Sequence, residues 1–288
     1  MIEFYLAHGR EPALSSSGAI VMRVGNVIRS LLPQRLHDDL FRLSSARVDD
    51  DLKHRYASGI SMWWSLENLK RSGFHPASVI DVGAFIGEWT QRTRSIWPEA
   101  KYLMVEPQPN KQKRLRAMCN DSVCLEFALL GRAPSEAVQF HTDDFGNSSV
   151  LESVQNKCPT AESLPMKTLD SLVAARKLTG PILLKADVQG CELEVMRGAT
   201  QTLRSVEVIL LEVSTLPYNV GAPLFSDVVA FMAERKFLVY DICHLHCRDS
   251  DQAVFQMDVL FVHKDSALRS EKPFFRLPRA SWQIRDAF

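Results

Sequence analysis

Asp81, Gly83 and Gly87 stand in the run "VIDVGAFIGEWT", and Glu106 closes "KYLMVE" shortly after it. An apolar stretch that ends on a carboxylate and turns through glycines lets a ligand come close to the backbone, because glycine accepts turn dihedrals that a Cβ hinders. The helix starting near Gly87 directs unpaired N–H groups at any anionic part of that ligand. A carboxylate at the tip of the next strand can accept both hydroxyl protons of a ribose. The pattern predicts a site for an adenosine-type cofactor, with Asp81, Gly83, Ala84 and Gly87 in the loop and Glu106 on the sugar.

The charge of the loop discriminates among such cofactors. A pyrophosphate ligand expects G-x-G-x-x-G. Here the turn reads Gly83-Ala84-Phe85-Ile86-Gly87, with the intervening glycine absent. Asp81 would repel a pyrophosphate, whereas S-adenosylmethionine offers it an ammonium and a sulfonium. The bland alternative is a chance Gly-x-x-x-Gly in an unrelated α/β domain.

The elements that must position these residues alternate from Ser78 onward. "SVIDV", "KYLMVEP", "VCLEFALL", "PILLKADV" and "VEVILLEV" read as strands. Between them, helices are expected over Gly87 to Ile96, Asn110 to Cys119, "TLDSLVAARK" and "CELEVMRGATQTL", and "FSDVVAFMAERK" follows the last strand. "AVQFHT" reads as an extra hairpin strand. Apolar strands alternating with helices predict a mostly parallel sheet covered on both faces. The closing pair "FLVYDICHL" and "VFQMDVLFVH" makes the last strand antiparallel. Ahead of this region, Ala19 to Leu43 spaces apolar residues helically between arginines, which reads as helices packed on the main domain or as a basic amphipathic helix on a membrane surface. A further helix is expected over Met62 to Arg71, stopped at Ser72-Gly73. The boundaries are therefore a helical extension over 1–77, a main domain over 78–264 and a tail over 265–288.

The strings "VIDVGAFIGEWT", "VEPQP", "NSSVL", "KTLDSL", "LLKADVQGCELEVMRGA", "LLEVSTLPYNVGAPLFSDV" and "QMDVLFV" follow one another as in FkbM-family methyltransferases. The chain resembles that family from about Ser78 to His263, and "LKADVQGCELEVMRGA" is the most specific piece. The resemblance implies a class I, Rossmann-like fold with a seven-stranded sheet, and O-methylation by S-adenosylmethionine of a hydroxyl on a sugar, glycolipid or natural product. It also implies that Ala128 and Leu129 lie by the adenine, that Ser148 and Ser149 sit near the cofactor, and that Asp187 faces the methyl group. Phe85 departs from the family pattern, in which a polar residue, often Asn, is common.

Methyl transfer to a hydroxyl needs in-line alignment and a base or metal to activate a poor nucleophile. Asp187 is the expected base. Lys185, two residues earlier, either shares that role or is a lysine paired to a neighbour. Glu212 ends the next strand, so adjacent parallel strands would bring it beside Asp187. The two carboxylates could hold Mg²⁺, although no third protein ligand is evident, or one could raise the pKa of the other. "CHLHC" suggests zinc, but on a strand Cys243, Leu245 and Cys247 share one face while His244 and His246 share the other. One extended segment cannot easily supply all four ligands of a tetrahedral site, so a substrate-facing histidine is the preferred reading. His141 is a loop histidine or an acid/base group. Trp63, Trp64 and Trp89 are expected to fill the core or stack on a sugar.

Lys plus Arg number 34 and so do Asp plus Glu, which argues against broad nucleic-acid binding. The six cysteines show no CxxC spacing, no signal segment begins the chain and no apolar run reaches 18 residues. These features predict a soluble, cytoplasmic enzyme with reduced thiols. Met22 offers an alternative start. A dinucleotide oxidoreductase lacks its Tyr-x-x-x-Lys pair here, since Ala222 follows Tyr218. A cofactor-binding scaffold without catalysis is the reading from a different class.

Overall fold

The central strands are apolar on both sides, so they can only be stable between two layers of helices. The computed structural model describes residues 61–142, 148–152, 160–248 and 250–272, which belong to one compact unit beginning at Ile60. Its main sheet has seven strands: β1 (Ser78–Val82), β2 (Lys101–Val105), β3 (Val123–Glu126), β7 (Ile182–Ala186), β8 (Val206–Ser214), β9 (Phe237–Cys247) and β10 (Val254–His263). They lie in the order β3-β2-β1-β7-β8-β10-β9. Only β10 runs antiparallel, against both β8 and β9. The fold is a Rossmann-like α/β fold with a mostly parallel seven-stranded sheet.

The period-two alternation of a strand divides its side chains between two cores. Ile80, Leu103, Leu184, Ile209 and Leu211 join one cluster, and their neighbours Val79, Tyr102, Leu183, Val208 and Leu210 join the other. Helices α1 (Met62–Arg71), α2 (Glu88–Ile96) and α3 (Gln112–Arg116) contribute Leu66, Leu69, Ile96 and Leu115 to the second cluster. Helices α4 (Leu169–Arg176), α5 (Glu192–Arg197) and α6 (Phe225–Glu234) contribute Leu172, Met196 and Met232 to the first. Helix α1 is tied to the sheet by Ser65, whose Oγ donates to Asp241 Oδ2 at 2.6 Å.

Several elements differ from expectation. "VCLEFALL" breaks at Phe127: its first half is β3, and Leu129–Leu130 become β4 of a second sheet ordered β4-β6-β5. In that sheet β5 (Ser135–Thr142) is the expected hairpin strand. Its antiparallel partner β6 (Thr160–Lys167) was not expected, because it carries Pro165 and sits in the middle, where proline is rarely tolerated. Pro165 falls where the register shifts between Ser135↔Met166 and Val138↔Leu164, a place that needs no regular ladder bond. The expected helix over Asn110 to Cys119 shortens to a 3₁₀ turn at Pro109–Lys111 followed by α3. The long helix after Cys191 ends at Arg197, and a 3₁₀ turn takes up Thr202–Arg204.

The readings of Ala19 to Leu43, Met22 and the end of the tail lie outside the described residues. Among the described residues no helix is long and apolar enough to cross a membrane.

Candidate functional site

The strand order reverses direction of growth between β1 and β7. Chains depart there to opposite sides, and a crevice opens at the carboxyl ends of the strands. The loops after β1 and β7 meet across this crevice. Gly83 adopts φ 75°, and a Cβ there would lie 1.9 Å from the carbonyl oxygen of Asp187, so both its conformation and its space require glycine. Gly87 takes φ 80° as it caps α2. Between them Phe85 also lies in the left-handed region, at φ 48°, which is unusual for a bulky residue.

That turn aims the Phe85 N–H at Glu106. The Glu106 carboxylate is 3% exposed and accepts from Phe85 N at 2.7 Å through Oε2 and from Gln108 N at 3.0 Å through Oε1. The Gln108 side chain also hydrogen-bonds to this carboxylate. Burial pushes the Glu106 pKa up, opposed by the two backbone N–H groups and by Lys185.

Asp81 is 1% exposed and faces the protein. Its Oδ2 accepts from Thr90 Oγ1 at 2.7 Å, and its Oδ1 lies 3.2 Å from Lys185 Nζ. Lys185 also donates to Gly83 O at 3.0 Å and lies 3.5 Å from Asp187 Oδ2. Burial alone would lower its pKa, but Asp81 and Asp187 outweigh burial and hold it raised. Lys185 is thus a protonated tie between the two loops, in agreement with the paired-neighbour reading.

After β7, Glu192 closes the loop "DVQGCE": its Oε1 accepts from Val188 N at 3.0 Å and Gly190 N at 3.1 Å. Burial pushes its pKa up to about 7, with Asp187 adding to the rise and the backbone donors opposing it. Gln189 sits at the centre of this loop at φ 54°. Its Nε2 donates to Asp187 Oδ1 at 3.1 Å and to Glu212 Oε2 at 2.7 Å. Its carbonyl accepts from Ser149 Oγ at 2.9 Å and Asn219 Nδ2 at 2.7 Å. The expected meeting of Asp187 and Glu212 does occur, but an amide donor occupies the position between them. Mg²⁺ shared by that pair would have to displace it.

Glu212 Oε2 takes a second amide, from Gln256 Nε2 at 3.0 Å. Burial first, then Asp187, Asp258 and Glu192, drive the Glu212 pKa well up, and Lys185 opposes them.

The cavity at the crevice measures about 300 Å³, at the lower end of ligand-pocket sizes. Of the residues singled out in the sequence, Gly83, Glu106, Ala128, Leu129, Ser148, Asp187 and Glu212 line it. Asp81, Ala84, Gly87, Lys185 and Ser149 stand behind the wall: Ser149 ties Gln189 as above and pairs its backbone with His141. Phe85, Gln108 and Gln189 also line the cavity. Sequence reading had noted Phe85 only as a departure and had missed the two glutamines, although Gln189 lies inside the most specific string. Among the described residues the wall holds three carboxylates and no cationic side chain. Trp89 is core, and its Nε1 donates to Met62 Sδ at 3.2 Å. The guanidinium groups of Arg92 and Arg71 stack on Trp63 and Trp64. His244 and His246 do share a face of β9, and Cys243 is buried in a core cluster away from them.

A family model described as the methyltransferase FkbM domain matches residues 81–239. The hexuronic acid methyltransferase AglP of Haloferax volcanii is 35% identical over 109 residues, which are 37% of this chain and 42% of AglP. Less than half of that relative's length is therefore spanned. Among solved structures, the methyltransferase FkbM of Methylobacillus flagellatus is 14% identical, with 64% of this chain and 43% of that chain covered and a TM-score of 0.41. Fibrillarin of Aeropyrum pernix, solved with natively bound S-adenosyl-L-methionine, is 12% identical, with 64% and 66% covered and a TM-score of 0.38.

Proposed function

This chain belongs to the FkbM methyltransferase family, and on that premise we propose that its crevice binds S-adenosylmethionine and that residues 78–264 transfer a methyl group to a sugar hydroxyl. The carrying observation is the cavity wall of three carboxylates, Glu106, Asp187 and Glu212, without a described cation. Such a wall attracts an ammonium and a sulfonium and opposes a pyrophosphate, because like charges at close range in a poorly solvated site are costly. The Glu106 carboxylate, which lines the cavity, suits a ribose hydroxyl, and Ala128 and Leu129 offer an apolar seat for a purine. When bound, the cofactor supplies a methyl group on positively charged sulfur.

The chain's own part is alignment and proton removal. Asp187, with a side chain 35% exposed, is the base for the acceptor hydroxyl. Lys185, held protonated, fixes the Asp187 carboxylate and cannot itself take the proton. Gln189 fixes the other oxygen of that carboxylate. The hexuronic acid named for AglP favours a sugar acceptor.

Calorimetry with S-adenosylmethionine and with NAD tests the cofactor half. Binding of the sulfonium alone, weakened about tenfold or more in Glu106→Gln as a ribose hydrogen bond is lost, is the expected result. NAD binding without sulfonium binding would reverse the assignment. Methyl-donor turnover on neutral and uronic-acid glycosides tests the acceptor half: a base-stable ether product, lost in Asp187→Asn, is expected. A base-labile ester would show that a carboxylate, not a hydroxyl, is methylated, and no turnover with intact cofactor binding would leave a binding scaffold.

A further inference from the structure

Beside the cavity, three neighbouring strands carry polar side chains in one row. In register, Glu212 of β8 stands opposite Asp258 of β10, and Asp258 stands opposite His244 of β9. His246, two residues on, returns to the same face. His244 Nδ1 lies 3.1 Å from His246 Nε2 and 3.7 Å from Asp258 Oδ2. The ligand atoms of His244, His246 and Asp258 all lie within 4.8 Å of one another. His246 Nε2 is 4.0 Å from Glu212 Oε1, the oxygen not engaged by Gln189 or Gln256.

We propose that His244, His246 and Asp258 form a binding site for one divalent transition-metal ion, with Glu212 linking it to the cavity. The spacing suits the role. With metal–nitrogen and metal–oxygen bonds of about 2.0–2.2 Å, neighbouring ligand atoms sit roughly 3.0–3.5 Å apart, and 3.1 and 3.7 Å require little movement. Two imidazoles with a carboxylate favour Zn²⁺, Mn²⁺, Fe²⁺ or Co²⁺ over Mg²⁺, whose ligands are oxygens. The ligand that joins the two histidines thus comes from the next strand, and the cysteines take no part. The histidine side chains are 45% and 38% exposed, which leaves coordination positions open to solvent or to an oxygen ligand, as in catalytic rather than structural sites.

Charge supports the same assignment. Asp258, Glu212 and Asp187 crowd one small region, and Lys185 is already engaged by Asp81, Gly83 and Asp187. A dication relieves the carboxylates and uses both imidazole lone pairs. That its open positions receive the acceptor's oxygen rests on the methyltransferase reading; the ion site itself does not.

The test uses the full chain without a histidine tag, stripped by a chelator. Titration with Co²⁺, followed by calorimetry and visible absorption, is expected to show one saturable equivalent that Zn²⁺ displaces and that Mg²⁺ does not. His246→Ala and Asp258→Asn should each weaken binding at least about tenfold, and Cys247→Ser should leave it unchanged. His246→Gln serves if the alanine variant loses its circular-dichroism melt. Absence of saturable Co²⁺ and Zn²⁺ binding, affinity unchanged in the histidine and aspartate variants, or tighter binding of Mg²⁺ than of Zn²⁺ would overturn the proposal. S-adenosylmethionine calorimetry on the stripped protein is read separately, so failure of the metal site and failure of the cofactor reading are distinct results.

Discussion

Asp81 and Glu106, on the β1–β2 side of the crevice, have protein partners on every carboxylate oxygen: Thr90 and Lys185 for the first, the Phe85 and Gln108 N–H groups for the second. On the β7–β8–β10 side, Asp187 and Glu212 share the amides of Gln189 and Gln256 and a lysine already engaged by Asp81, and Asp258 lies 3.7 Å from His244 Nδ1. On the first side each acid is balanced by protein donors before any ligand arrives, although burial raises Glu106 as well. The second holds a surplus of acids over donors, and burial first, then neighbouring carboxylates such as Asp187, raises the pKa of Glu212, Asp258 and Glu192. The difference teaches that acids on the first side are each held by their own protein donors, whereas acids on the second side compete for shared ones.

Removing the shared cation breaks the comparison most severely. Lys185→Met strands Asp81 inside the protein, and losing one partner of a buried pair costs about 3–5 kcal/mol. Urea unfolding at pH 7 measures it; a loss below about 1 kcal/mol would mean that the balanced side does not depend on that lysine.

Glu192 probes the surplus side. Its pKa is raised in the folded protein, so its proton stabilises the fold below the ordinary carboxylate pKa, and that stability is lost as pH climbs from about 4.5 to about 7. Glu192→Gln removes this component. Between pH 5 and pH 8 the variant should therefore gain about 2 kcal/mol relative to the native chain in paired unfolding experiments. Parallel stability curves for the two proteins would remove Glu192 from the surplus.

The smallest effect sharpens the balanced side. Phe85 holds a left-handed backbone that asparagine accepts more readily, at a cost of ~1 kcal/mol or more. It also has Lys111 Nζ 4.4 Å above its ring, a contact that offsets part of the cost. Phe85→Asn should raise stability by about 0.5–1 kcal/mol in thermal melts. A drop would show that the ring, rather than the turn, sets the loop.

Much of this was readable in the residues. Strands such as "SVIDV" and "PILLKADV" announce themselves because a doubly covered parallel sheet needs unbroken apolar runs, and the residues after them had to fall at the crevice. Asp187 and Glu212 could be paired because each closes one of two adjacent strands. Strand β6 was hidden by Pro165, whose tolerance depends on a bulge formed by a distant partner. Gln189 was hidden because an amide becomes important only once its loop has closed. His244 and His246 were legible as a pair, but Asp258 required the register of β10 against β9. Asp81 reads as a ligand contact in sequence, yet its charge is spent on Lys185 and Thr90.

Gln189 joins pieces of chain far apart in sequence: the Ser149 segment beside the second sheet, the Asn219 loop, and the two carboxylates above β7 and β8. The inserted sheet is connected to both acids through Ser149 and the carbonyl and side chain of Gln189. The placement of both acids and the anchoring of the segment beside the insert thus depend on one residue, Gln189.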